Sequence, residues 1–184
     1  MRLLALIGVL AIAGALAAGG FFLGGFFDIS TSWDDPPPVA KAIARARDAS
    51  IARHATDRPP ADFGSPQRVQ AGARAFSTLG CVNCHGAPGV KWQKFAEGMN
   101  PSPPDLKEAA ADLTPGKVFW VVNHGIRMTG MPAFAGVASD DELWSLAAFV
   151  KKLPDVSDAD FKAWTAPPAA PTPSPAAPAE APKQ

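Results

Sequence analysis

Cys81-Val82-Asn83-Cys84-His85 decides how this chain reads, because Cys-x-x-Cys followed directly by His is the attachment signature of c-type haem. Two thiols at that spacing add across the two vinyl groups of one porphyrin. The thioether bonds pin a tight turn, and the adjacent imidazole of His85 is the one that reaches the iron from it. Two other chemistries use such thiols. A structural zinc site brings a second Cys or His pair at ligand spacing, whereas His54 and His124 stand alone and far apart. A thioredoxin-like redox pair belongs in a βαβ context, and the surroundings read as helix and loop. Both cysteines of the chain lie in the motif, so no other disulfide competes for them.

Working outward, Ser65-Pro66 is a helix start, with Ser to cap and Pro at the first helical position. Val69, Gly72, Ala73 and Phe76 recur at helical spacing, and this helix is expected to run into the cysteine motif. A glycine within an apolar helical face costs stability unless another backbone approaches there, so Gly72 is read as a helix crossing. A second helix is expected from Thr114-Pro115 to near Gly125, burying some of Val118, Phe119, Val121 and Val122. A third opens at Ser139, which has capping-box spacing to Glu142, carries Leu143, Leu146, Ala147 and Val150 as its stripe, and stops at Pro154. Trp144 and Phe149 flank that stripe and are expected to pack against the first helix. Short helices are read at Asp105 to Asp112 and near Ser157 to Trp164.

Helix, Cys-x-x-Cys-His, a proline-containing loop, more helix, a Met-Pro loop and a closing amphipathic helix: this order resembles class I cytochromes c, particularly single-haem, membrane-anchored bacterial ones. The resemblance covers roughly Ser65 to Pro154. It implies an all-α haem domain with one covalent haem c, held by Cys81 and Cys84 and with His85 as proximal ligand. It also implies a distal methionine in the loop before the last helix, where Met131 fits within Thr129-Gly130-Met131-Pro132-Ala133-Phe134. Gly130 there permits an unusual backbone and Pro132 stiffens the loop. Met128, His124 and Met99 are the other candidates for that position. In the family, a proline carbonyl accepts the proximal histidine's Nδ1 proton, and Pro104 in Pro103-Pro104-Asp105-Leu106 corresponds. Family members often place tyrosines near the haem edge, but this chain has none; Trp120 or Trp92 is left either to supply an indole N–H to a propionate or to sit in the core.

The ends of the 184-residue chain read as appendages. Leu3 to Phe27 contains no charged residue, and roughly 20 apolar residues suffice to cross a bilayer. Ala15-Leu16-Ala17 offers a signal-cleavage pattern, yet apolarity continues through Phe21-Phe22-Leu23 to Phe26-Phe27, which favours an uncleaved anchor. The expected division is an anchor at 1–27, a helical, Pro-rich stalk at 28–64, a haem domain at 65–165 and a disordered Pro/Ala-rich tail at 166–184. Val39 to Ala55 reads as a stalk helix with a narrow apolar face of Val39, Ile43 and Ile51. Arg2 is the only basic residue before the span, so charge bias does not orient it. The resemblance implies a haem domain on the periplasmic side of a bacterial inner membrane. Equal numbers of basic and acidic side chains, 17 each, argue against a nucleic-acid partner.

A thioether opposite an imidazole favours ferrous iron. With both axial positions filled there is no open site, and no other residue cluster suggests acid–base or nucleophilic chemistry. The expected function is therefore that of an electron carrier rather than an enzyme, tethered to the membrane and exchanging single electrons with a respiratory oxidase or dehydrogenase. No small-molecule substrate is expected. Lys91, Lys94 and Arg127 are candidates to steer an acidic partner. A fixed haem subunit of a larger membrane complex, and a ligand-binding sensor or peroxidase, are the alternatives.

Overall fold

The computed structural model describes residues 1–167; the expectation for the Pro/Ala-rich tail falls, from residue 168 on, outside the described residues. Eight α-helices run in chain order, with no strand among the described residues. Helix α1 (Arg2–Leu23) has no buried residue and, among the described residues, is the helix long and apolar enough to cross a membrane. Helix α2 (Pro37–His54) opens on prolines, which tolerate a first turn where no N–H partner is needed, and buries Ile51 alone. Val39 and Ile43, expected on the same apolar face, are 45% and 58% exposed. The end of α2 meets the domain through Ile51, and the carbonyl of Asp57 lies 2.6 Å from where a Cβ on Gly116 would stand. The segment expected as stalk thus touches the globular part at its far end.

The core is made by α3 (Pro66–Thr78), α6 (Pro115–His124), α7 (Asp140–Lys152) and α8 (Asp158–Thr165). Each start carries its expected cap. Ser65 Oγ accepts from Arg68 N, Thr114 Oγ1 from Lys117 N, and Ser139 closes a full capping box with Glu142. Helices α3 and α7 cross at Gly72, where a Cβ would land on the Ser145 carbonyl and 2.8 Å from Phe149 Cβ. That crossing seals Phe76, Leu143, Leu146, Phe149 and Val150, all 2% exposed or less, each burial stabilising by roughly 1.5–3 kcal/mol. Arg68 clamps its edge, pairing with Asp62 at 3.0 Å and Asp141 at 2.9 Å. Phe149 tilts onto Phe76 of α3 as expected. Trp144 does not follow it: the indole stacks on Phe119 of α6 at 4.1 Å and meets Phe63 edge-on. A position flanking the stripe faces α6, and a large ring buries more area flat against another ring there.

One expected continuity is absent. Helix α3 ends at Thr78, and Gly80, at φ +80°, breaks the chain before the one-turn helix α4 (Cys81–His85). Only glycine enters that left-handed conformation without strain, and after the break the motif still packs on the core through Cys81 and Val82.

Candidate functional site

Helix α4 sets Cys81 and Cys84 three residues apart, on one face of a single turn. Both are free and half-buried. Burial, with a smaller contribution from Cys84, pushes the Cys81 thiol up to about 11 despite an opposing backbone hydrogen bond, so it stays protonated at neutral pH. Gly86, at φ +66°, ends α4, and the following loop is tied back by Ala87 and Val90, whose backbones exchange two 2.8 Å hydrogen bonds, and by Gln93 N donating to Asn83 O at 2.7 Å.

His85 Nδ1 donates to the carbonyl of Pro104 at 2.9 Å. A carbonyl only accepts, so the ring proton is on Nδ1 and Nε2 is left with its lone pair. Burial, opposed by the Pro104 bond and by Asp105, holds the imidazole below the ordinary histidine range. His85 is thus a neutral, oriented donor. Pro104 belongs to the loop between the 3₁₀ turn Lys94–Gly98 and helix α5 (Leu106–Ala109).

The Met131 loop folds back on the end of α6. Gly125, at φ +67°, leaves the helix so close to the loop that a Cβ would lie 2.7 Å from Ala133 N and 2.8 Å from Met131 O. Ile126 N donates to Met131 O at 3.1 Å, and Phe134 N and Ala135 N donate to Val122 O and Asn123 O on α6. Thr129 Oγ1 donates to Ile126 O at 2.8 Å and accepts from Met131 N at 3.1 Å. Met131 itself is half-buried and packs against the core cluster. Thr129 and Ile126 did not stand out in the sequence; a Thr two residues before the methionine, positioned to bond its amide, is the signal that marks them.

The other candidates are placed differently. Met128 is 91% exposed. His124 closes α6, its Nδ1 bonded to Trp120 O at 3.0 Å. Trp120 stacks on His124 at 4.8 Å and His54 at 6.0 Å. It lines a cavity with Asp57, Arg58, Asn123 and Trp144 that includes neither His85 nor Met131. Trp92 is 48% exposed and lines a second cavity with His85, Gly86 and Lys91.

Two unbridged thiols one turn apart and an adjacent neutral imidazole with Nε2 free are donors that fit covalent haem. Residues 67–150 match the family model described as cytochrome c oxidase, cbb3-type, subunit III. No curated protein and no solved structure matches. The matched segment, somewhat less than half of the chain, is a c-type cytochrome domain; it binds haem c covalently and serves electron transfer.

Proposed function

We propose that this chain is a membrane-tethered relay for single electrons, with its haem domain on the periplasmic face of a bacterial inner membrane. Cys81 and Cys84 would hold the porphyrin, His85 Nε2 and the Met131 thioether would ligate the iron, and α1 is the anchor. Bound haem c supplies a one-electron couple. The chain's own residues would set how it is used: the Pro104 carbonyl fixes the imidazole plane, and ligation by the Met131 thioether would favour the ferrous state. A haem ligated by both His85 and Met131 would offer a substrate no free position, which argues for transfer rather than catalysis. The observation that carries the reading is the His85 Nδ1 to Pro104 hydrogen bond, because it aims a ligand atom that has no partner among the described residues.

A second reading has its own support. The matching family is described as subunit III of an oxidase, and α2 presents Val39 and Ile43 to solvent along a helix that buries one residue. Packing against a partner subunit would cover that narrow apolar face. Solubilisation of the full chain in mild detergent separates the two. A monomer that shows a reversible one-electron wave and binds no carbon monoxide when reduced supports the relay. Copurification with stoichiometric partner subunits supports a fixed haem subunit. Rapid carbon monoxide binding at neutral pH contradicts both.

A further inference from the structure

Met99, so far named only as an alternative to Met131, bridges the Pro104 loop and the Met131 loop. It sits five residues before Pro104, on the loop that orients His85. Its half-buried side chain reaches across to the other loop: a Cβ on Gly130 would lie 2.8 Å from Met99 Sδ and 3.2 Å from Met99 Cε. Position 130, next to Met131, is therefore a notch that the thioether fills.

The backbone beneath Met99 is fastened on both sides. Its amide donates to Ala96 O at 3.2 Å, and its carbonyl accepts from Ser102 Oγ at 3.2 Å. The next residue, Asn100, donates through Nδ2 to Trp33 O at 2.9 Å, tying this loop to the segment that leaves α1. The distal loop's own bonds, through Thr129 and Ile126, are internal or run to α6, so none of them joins it to the Pro104 loop.

We propose that Met99 is a positioning residue that locks the Met131 loop to the Pro104 loop, holding the distal thioether against displacement. The proposal rests on Met131 being the distal ligand. Its physical basis is packing: an exogenous ligand enters only when the loop opens, so its apparent affinity rises with the open fraction. Removing the thioether removes contacts that only the closed loop makes.

The test is imidazole titration of the ferric full-length holoprotein in detergent, followed by loss of the far-red sulfur-to-iron band, alongside the reduction potential. Met99→Ala is expected to keep the band without imidazole but to bind imidazole on the order of tenfold more tightly, with a lowered potential. Met99→Leu refills the notch and is expected to return the affinity to within about twofold of the unmodified protein. Met128→Ala, at an exposed position of the same loop, is expected to change nothing. Unchanged imidazole affinity in Met99→Ala, or equal tightening in Met128→Ala, overturns the proposal alone. Absence of the sulfur-to-iron band in the unmodified protein overturns Met131 ligation and this proposal with it.

Discussion

Gly72→Ala tests the architecture where it is tightest. In an open helix face, alanine for glycine stabilises by about 1 kcal/mol. Here the new methyl group would stand 2.8 Å from Phe149 Cβ and closer still to the Ser145 carbonyl. Restoring an ordinary 3.4 Å contact with Phe149 alone requires the helices to part by ~0.6 Å, and the Ser145 carbonyl, being backbone, demands more. A gap of roughly 0.5–1 Å forfeits a quarter to a half of each dispersion contact it opens. It opens where Val69, Ala73 and Phe76 of α3 meet Leu146 and Phe149 of α7, a fully buried seam. Overpacking costs about 1–3 kcal/mol where side chains yield; against a backbone carbonyl the upper end applies, and the propensity gain offsets part of it. The net expectation is ~2 kcal/mol of destabilisation, or a fall in Tm of about 8–16 °C for a domain near a hundred residues. Thermal unfolding of the holoprotein, followed by far-ultraviolet circular dichroism, measures it. An unchanged or raised Tm would refute the close crossing, since a rise is what an unobstructed helix gives.

The other perturbations act elsewhere. Ser139→Ala removes the α7 cap and should cost about 1 kcal/mol in denaturant unfolding. Because the Ser139 backbone and hydroxyl hold the Glu142 carboxyl below its ordinary range, the stability this linkage supplies is present above the unfolded carboxylate pKa and is lost as pH falls through the folded one. The variant should therefore show a shallower acid decline than the unmodified protein, and an equally steep one would count against the linkage. Arg68→Ala frees the chain around Asp62 from the start of α7; since both aspartates are mostly exposed and rehydrate, a loss of roughly 1–2 kcal/mol is expected, read by urea unfolding. Mass spectrometry of denatured holoprotein should find haem bound in the unmodified chain and in each single Cys81→Ala or Cys84→Ala variant, and none in the double variant; retained haem there would place attachment elsewhere.

Local rules carried the sequence reading furthest. Ser65, Thr114 and Ser139 announce helix starts because capping is settled within four residues, and Gly72 announces a crossing because a helix spends stability to hold a glycine in its apolar face. The break at Gly80 was not legible, since the apolar periodicity of α3 continues up to Phe76 and nothing before the motif demands a positive φ there. Trp144 was assigned to the wrong neighbour because helical spacing fixes a side chain's angle but not which of two flanking helices fills it. Within the site, the His85 to Pro104 bond spans 19 positions and was legible only through the family resemblance. The approach of Met99 to Gly130 joins residues 31 positions apart with neither charge nor motif to mark them, and only the folded arrangement brings them together.

The proposed relay depends on a haem iron ligated by both His85 and Met131. The far-red absorption of the purified ferric holoprotein tests it most directly, compared with that of Met131→Ala. A sulfur-to-iron band is expected in the unmodified protein and is expected to disappear in Met131→Ala, together with rapid carbon monoxide binding by the reduced variant alone. A band that survives the substitution, or one absent from the start, would contradict it.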